Sequence, residues 1–239
     1  LPTVGSVHEA AHAVDPAARV VSVDCDPVVV AHTQALLAAV DTVGVVRADL
    51  RDTATILDHP DTVRLLDLTQ PVAVLLVSVL DFVPGDLTDL MATLRRIMAP
   101  GSLLAITHAT PVAGADQVAA VEDRYRCTST PLCLRSRAAV RALVAGLDLV
   151  HPDPDLGGPA DLVPVTRWRP DPGTLPLPDG VADDPLLTGL LAAVAATPVP
   201  AGTAPTLGDA PARRPTARNR TNRFDPVVAQ QPLIARRTR

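Results

Sequence analysis

The chain has 239 residues and a formal net charge of −5, which suits one domain of ordinary size with an appendage. The charge is unevenly spread: residues 213–239 contain eight arginines and one acid, so that residues 1–212 carry −12. An acidic body argues against specific nucleic-acid binding, because phosphate contacts need cations. The longest apolar runs are far shorter than the roughly 18 residues that span a bilayer, so no membrane partner is expected.

The cysteines give no sign of a disulfide framework or a metal knuckle. There are three, an odd number, at Cys25, Cys127 and Cys133, and no two are closely spaced. We expect reduced thiols in a cytoplasmic protein.

The first part of the chain alternates Val-rich strands with helices. Ser6 and Glu9 have the spacing of a capping box, and Asp26 followed by Pro27 is a typical helix start. In chain order, we predict a helix from Ser6 to Val14, a strand over Arg19–Asp24, a helix from Pro27 to Val40, a strand over Val43–Asp49, and helical turns over Thr53–Leu57 and Asp61–Leu66.

The same alternation continues from Pro71. The order predicted is a central strand over Pro71–Leu80, a helix over Asp86–Met98, a strand over Ser102–His108, helices over Ala115–Arg126 and Ser136–Ala145, and weak strands over Leu147–Val150 and Leu162–Thr166. Alternating strands and helices predict an α/β fold: a parallel sheet with helices on both faces. Ligands of such sheets bind at the carboxyl ends of the strands.

Beyond Arg169 the composition changes to Pro, Gly, Ala and Asp, and then to arginine. We predict a folded domain over residues 1–171 and a mostly disordered tail over residues 172–239, with one short helix over Leu186–Ala196. The tail could bind anionic partners weakly through a group of arginines, or it could be an incidental extension. The group comprises Arg213, Arg214, Arg218, Arg220 and Arg223.

Two acids follow successive strands and indicate a nucleoside site. Asp24 ends the first predicted strand, where a carboxylate in a nucleotide-binding fold accepts hydrogen bonds from both ribose hydroxyls. Asp49 ends the next strand, where it can accept from an adenine amino group while a following backbone N–H donates to the ring. The alternative is that Asp24, like Asp26, only caps the following helix.

Two further strand ends could carry chemistry. The segment from Ser78 to Pro84 follows the central strand and includes Asp81. His108 ends the strand after it. Either Asp81 or His108 could be a catalytic base, while the alternatives are a loop anchored by Phe82 and a structural histidine.

The run from His8 to His12 fits the H-E-x-x-H zinc pattern. Its helix is predicted to stop at Asp15-Pro16, and the next glutamate along the chain is Glu122. A zinc protease is therefore disfavoured.

The order of several motifs resembles an actinobacterial family of S-adenosylmethionine-dependent methyltransferase-like proteins whose substrates are largely unassigned. The segments that carry the resemblance lie within residues 1–171: LPTVGSVHEAAHAVDPAARVVSVDCDPVVVAH, VRADLRDTATILDHPDTVRLLDLTQPVAVLLVSVLDFVP, APGSLLAITHAT, LCLRSRAAV and LVPVTRWRPD.

The resemblance implies a class I methyltransferase fold, which is Rossmann-like, and S-adenosylmethionine as cofactor. Asp24 falls on the ribose-binding acid and Asp49-Leu50 on the adenine-side motif. The rest of the implied cofactor site consists of His8, Glu9, Val77, Ser78 and Val79. The implied substrate is a small-molecule methyl acceptor.

The sequence departs from the family at two points. Family members have a mid-sheet strand and a D-I-G-T-G turn directly before the position of Leu1, and a histidine where this chain has Asp81. We therefore expect a sheet that lacks its first strand, so that the backbone groups beside the gap either stay unpaired or pair with another segment. The open alternatives are an active methyltransferase, a non-catalytic cofactor-binding remnant or regulator, and, less favoured, an NAD-dependent oxidoreductase.

Overall fold

The computed structural model describes residues 6–111, 123, 125, 131–152, 159–168, 185–200 and 225–229. The helix predicted over Ala115–Arg126 lies almost entirely outside these residues, and so do the five tail arginines considered for anion binding.

The first six elements follow the sequence prediction closely. Ser6 and Glu9 form the predicted capping box, in which the Glu9 carboxylate accepts the Ser6 N–H at 2.7 Å. Asp26 accepts the N–H of Val28 at 2.7 Å and so caps the second helix. The elements are α1 (Val7–Val14), β1 (Val20–Asp24), α2 (Pro27–Leu37), β2 (Val43–Arg47), α3 (Thr53–Asp58) and α4 (Pro60–Leu65).

The strand predicted over Pro71–Leu80 is shorter than expected. It ends at Leu76, because Ser78 has a φ of 50°, which lies outside the range of a strand. The following elements are β3 (Val72–Leu76), a 3₁₀ turn (Leu80–Phe82), α5 (Thr88–Ile97), β4 (Leu103–Ala109), α6 (Arg137–Leu143), β5 (Asp148–Leu149), β6 (Val163–Pro164), α7 (Pro185–Thr188), β7 (Leu190–Ala196) and β8 (Asp225–Ala229).

The strands form one mixed sheet in the order β2-β1-β8-β3-β4-β7-β5, with β6 also paired to β7. All pairs from β2 through β4 are parallel, and β7 runs antiparallel to β4, β5 and β6. The carboxyl ends of β1, β2, β3, β4 and β8 therefore meet at one edge of the sheet.

Buried Val, Leu and Ile side chains form the core on both faces of this sheet. Successive residues of a strand point to opposite faces, and Val20 and Val21 accordingly belong to different clusters. The larger cluster includes Leu76, Leu104 and Ile106. The smaller cluster packs Val20 and Val43 against residues that include Val7 and Ala11 of α1. Burial on both faces explains why β1 and β2 are so rich in valine.

The helix predicted over Leu186–Ala196 is wrong for most of its length. Pro185–Thr188 is helical, but Leu190–Ala196 is a strand that pairs along its whole length with β4. Alanine favours helices, yet a backbone that lies beside the open edge of β4 gains a full ladder of hydrogen bonds, and this tertiary position overrides the propensity.

Of the two outcomes expected beside the gap, the structure has the second, in which the backbone groups pair with another segment. Residues 225–229, which were predicted to be disordered, form β8 between β1 and β3 and pair with both. Together with β7, this strand shows that parts of the segment beyond residue 171 belong to the sheet.

Within the described residues, no helix combines the length and the hydropathy needed to cross a bilayer.

Gly44 lies where β2 meets α4, and a side chain there would collide with the helix. A Cβ at this position would lie 2.8 Å from the Cβ of Asp61 and 2.9 Å from a methyl carbon of Leu65. We expect Gly44→Ala to lower the free energy of unfolding by about 1–3 kcal/mol, measured by urea denaturation. Val14→Ala, at a side chain that is 89% exposed, is the control; equal unfolding midpoints for the two variants would contradict the packing at Gly44.

Candidate functional site

Asp24 and Asp49 lie at the same edge of the sheet, at the ends of neighbouring strands. Asp24 is in register with Arg47, and its carbonyl oxygen accepts the N–H of Ala48 at 3.1 Å, directly before Asp49. Burial and the negative charges of both carboxylates raise the pKa of the Cys25 thiol. Cys25 is therefore close enough to interact electrostatically with both acids. The two acids thus share one neighbourhood, as the sequence predicted.

Asp24 is a buried carboxylate with half of its hydrogen-bonding capacity unused. It is only 7% exposed, and its Oδ1 accepts the N–H of Asp26 at 2.8 Å. Its Oδ2 is buried and has no hydrogen-bond partner among the residues that the structure describes. Burial raises the pKa of the Asp24 carboxyl above its usual value, while the Asp26 N–H acts in the opposite direction. Most buried polar atoms of proteins have a hydrogen-bond partner, so this oxygen is the candidate acceptor for a ligand.

Asp49, unlike Asp24, has a hydrogen-bond partner for each of its carboxylate oxygens. It is partly exposed, and Arg51 binds it through its backbone N–H at 2.8 Å and its guanidinium at 2.9 and 2.6 Å. The hydrogen bond from the Arg51 side chain lowers the pKa of Asp49. Leu50, beside it, is buried in the core, so that only its backbone is available to a ligand.

The end of β3 brings an exposed, strained residue to the same edge. Val77 is 45% exposed, and Ser78, also exposed, has a φ of 50°. The Ser78 N–H donates to Thr107 Oγ1 at 2.8 Å, which holds this unusual conformation in place. Strained residues of this kind concentrate at functional sites. Thr107 was missed by the sequence analysis, although its place directly before His108 at the end of β4 could have indicated it.

The remaining predicted cofactor residues are not equivalent. Val79 is 3% exposed and belongs to the core, so its side chain does not face the edge. His8 contacts Ser6 Oγ at 2.8 Å, and Glu9 completes the capping box. The other end of α1 lies near the amino ends of β1 and β2, where His12 Nε2 contacts the carbonyl of Ala18.

His108 and Asp81, the two predicted catalytic residues, meet in the interior. His108 is fully buried, Asp81 is 3% exposed, and His108 Nδ1 lies 3.0 Å from Asp81 Oδ1. The same Asp81 oxygen also accepts the N–H of Ala109. On the other side of the ring, an Arg135 nitrogen lies 3.0 Å from His108 Nε2.

The contact with Arg135 shows which ring nitrogen of His108 accepts a hydrogen bond. A guanidinium only donates, so Nε2 accepts from Arg135, and Nδ1 carries the ring hydrogen that faces the Ala109 carbonyl at 2.8 Å and Asp81 Oδ1 at 3.0 Å. Arg135 also donates to the carbonyls of Leu80, Val83 and Gly85 and so holds the loop after β3. No local pattern indicates this role of Arg135, since 27 residues separate it from His108.

The residues of the H-E-x-x-H pattern have other partners. His12 Nε2 lies 3.0 Å from the Ala18 carbonyl and 3.1 Å from Thr42 Oγ1, and Glu9 binds the start of its own helix. In the part of the chain that the structure describes, no group of three His, Cys, Asp or Glu residues could hold a metal ion.

These features define the class of protein to which the chain belongs. A parallel sheet places a buried acid at the end of one strand, a second acid at the end of the next, and an exposed turn after the central strand. This is the arrangement of a nucleotide-binding α/β protein of the Rossmann-like type.

Comparison with known proteins gives the family. The family model described as S-adenosyl methyltransferase matches residues 1–198. A methyltransferase candidate from Thermobifida fusca YX is 32% identical with a TM-score of 0.71, over 83% of this chain and 70% of that one. A DUF574 family protein from Streptomyces avermitilis MA-4680 is 34% identical with a TM-score of 0.71, over 83% of this chain and 72% of that one. No match was found among curated proteins.

The chain belongs to the S-adenosyl methyltransferase family, whose cofactor is S-adenosylmethionine. The predicted α/β methyltransferase fold is confirmed by the family match and by these two structures. The unpartnered Asp24 oxygen fits this cofactor, because the ribose of S-adenosylmethionine carries two hydroxyl donors.

The buried network around His108 makes a prediction about stability. We expect His108→Ala to lower the free energy of unfolding by about 3 kcal/mol, because Asp81 and Arg135 each lose a buried partner. Urea denaturation measures this loss. His32→Ala, at an exposed histidine of α2, should stay within about 0.5 kcal/mol of the unmodified chain. A loss as small for His108→Ala would mean that the network is not formed.

A second prediction concerns the Ser78 turn. Thr107→Val removes the acceptor of the Ser78 N–H but keeps the shape of the side chain, so we expect exchange of the Ser78 amide to accelerate by about fivefold to tenfold, the equivalent of about 1 kcal/mol. Thr107→Ser keeps the hydroxyl and should leave the rate nearly unchanged. Amide hydrogen exchange followed by NMR distinguishes the two variants; identical rates would refute the role of Thr107.

Proposed function

We propose that this protein is a methyltransferase that transfers the methyl group of S-adenosylmethionine to a small molecule. The observation that carries the proposal is the buried Asp24 carboxylate, whose Oδ2 has no partner among the described residues, at the strand end next to Asp49. The negative charge of residues 1–212 supports a small acceptor over a polyanionic one such as a nucleic acid.

In this proposal, the cofactor lies along the carboxyl edge of the sheet. Asp24 accepts hydrogen bonds from the ribose hydroxyls, Asp49 accepts from the adenine amino group, and the Leu50 N–H donates to the ring. Val77 and Ser78 line the methionine end, while Val79 acts only through its backbone because its side chain is buried. His8 and Glu9, at the start of α1, are the remaining candidates for that end.

When bound, S-adenosylmethionine supplies an activated methyl group. What the protein must add is a position for the acceptor in line with that methyl group, and exclusion of competing water. His108 and Asp81 are poor candidates for a base, since both are buried and the free lone pair of His108 is occupied by Arg135. The proposal therefore favours acceptors that need no proton removal by these two residues.

The cofactor site makes a binding prediction. We expect Asp24→Asn to weaken binding of S-adenosylmethionine at least tenfold in titration calorimetry of the full chain, because a charged acceptor is replaced by an amide. Asp41→Asn, at an exposed acid after α2, should bind like the unmodified chain. Equal affinities for all three proteins would contradict the assignment of Asp24. A thermal shift with NAD but not with S-adenosylmethionine would support an oxidoreductase instead.

The raised pKa of Asp24 predicts a pH dependence of the same binding. Donors on the cofactor favour the ionised carboxyl, while burial in the free protein favours the protonated form. Affinity should therefore increase as the pH rises through the elevated pKa of the free protein, and binding in that range should release a proton. Calorimetry in buffers of different ionisation enthalpy measures this release. The dependence should be absent in Asp24→Asn; an unmodified chain without it would argue against Asp24 as a ligand.

A second candidate function is non-catalytic binding of S-adenosylmethionine. The observation that favours it is the enclosure of both predicted bases, His108 and Asp81, in the core. Transfer of a radiolabelled methyl group to the small-molecule fraction of a cell extract would support the enzyme. Calorimetric binding without any transfer would support the binding protein.

A further inference from the structure

Arg51 holds the carboxylate of Asp49 through both its backbone and its side chain. The Arg51 N–H donates to Asp49 Oδ1 at 2.8 Å. The guanidinium donates through Nε to the same oxygen at 2.9 Å and through a terminal nitrogen to Oδ2 at 2.6 Å. Two parallel contacts of this kind fix the relative orientation of an arginine and a carboxylate. The plane of the Asp49 carboxylate is therefore set by the residue two positions further along the chain.

These hydrogen bonds also determine which oxygen of Asp49 is available to a ligand. An ionised carboxylate only accepts hydrogen bonds, and its two oxygens offer about four lone-pair positions. Arg51 uses two of them on Oδ1 and one on Oδ2. In the part of the chain that the structure describes, the position that remains is on Oδ2. A ligand donor can therefore reach Asp49 at one oxygen and from a restricted direction.

The same contact keeps Asp49 ionised. The hydrogen bond from the Arg51 side chain lowers the pKa of the Asp49 carboxyl, while partial burial acts in the opposite direction. Because an ionised carboxylate has no hydrogen to donate, it attracts an amino group and repels a carbonyl oxygen. Asp49 thus has the charge and the fixed orientation needed to distinguish a donor from an acceptor on a flat ring.

We propose that Arg51 is a positioning residue that makes this site selective for adenine over a purine with a carbonyl oxygen in place of the amino group. The inference rests on the proposed function, in which Asp49 accepts from the adenine amino group of the cofactor. With adenine, the oriented Oδ2 meets a donor. With hypoxanthine, it meets a second acceptor, and neither group can supply a hydrogen. Arg51 acts through Asp49 and need not touch the cofactor.

A second arginine–aspartate pair in the chain provides a matched control. Arg64 donates to Asp61 Oδ1 at 2.9 Å, and its side chain is 52% exposed, against 60% for Arg51. Arg64 also donates to the carbonyl of Asp41, which comes before β2 and so lies towards the amino edge of the sheet. Exposed ion pairs contribute little to stability, so removing either guanidinium should leave the fold intact.

Titration calorimetry of the full chain with two probes tests the inference. The probes are S-adenosylhomocysteine and S-inosylhomocysteine, in which a carbonyl oxygen replaces the adenine amino group. We expect the unmodified chain to bind the adenine compound at least about tenfold more tightly, since a hydrogen bond to a charged group is at stake. Arg51→Ala should reduce this ratio to about threefold or less, because the Asp49 carboxylate can then rotate away. Arg64→Ala should keep the full ratio.

Arg51→Lys separates charge from orientation. Lysine keeps the positive charge but cannot make the two parallel contacts, so we expect a ratio between those of Arg51→Ala and the unmodified chain. An unchanged ratio in both Arg51 variants would overturn the inference, even if both lost affinity equally for the two probes, as a merely structural role would produce. S-adenosylhomocysteine binding would then still support the proposed function. If the unmodified chain binds neither probe, the proposed function fails and the inference fails with it.

Discussion

The sheet depends on one requirement of its backbone: a strand position between β1 and β3 must be filled. These strands carry Asp24 and the Val77–Ser78 turn, and they do not touch each other. An internal strand of a parallel sheet uses hydrogen bonds on both sides. If β1 and β3 moved together to pair with each other, Asp24 and the Val77–Ser78 turn would move as well. β8 meets the requirement with a short segment in register on both sides.

Two buried aspartates differ in how far the protein satisfies their carboxylates. Asp81 has its bonds supplied by the protein, from the Ala109 N–H and from His108, which Arg135 holds in turn. Asp24 is almost as buried, yet one of its oxygens has no partner among the described residues. A buried polar group without a partner costs about 1–3 kcal/mol. The Asp81 network therefore stabilises the loop after β3, whereas Asp24 keeps one oxygen without a partner among the described residues.

Much of the fold could be predicted because its signals are local. The capping box at Ser6, the Asp26-Pro27 helix start and the Val-rich strands were read correctly, since each depends on residues a few positions apart. The prediction failed where the secondary structure of a segment depends on contacts with residues distant in the chain. The alanine-rich β7 is a strand because β4 lies beside it, and β8 is a strand because it lies between two others. The contact between Arg135 and His108 Nε2 could not be predicted for the same reason.

The sequence by itself determined that this is an α/β protein with acids at successive strand ends. Strand periodicity, helix caps and the positions of Asp24 and Asp49 relative to their strands all depend on residues that are neighbours in the chain. Only the tertiary structure decided which acid has an oxygen without a partner among the described residues, which histidine is enclosed, and which segment lies between β1 and β3. Hydrogen-bond satisfaction is the physical reason: whether Asp24, His108 or the backbone of β1 has a partner depends on groups that are remote in the chain and meet only after folding.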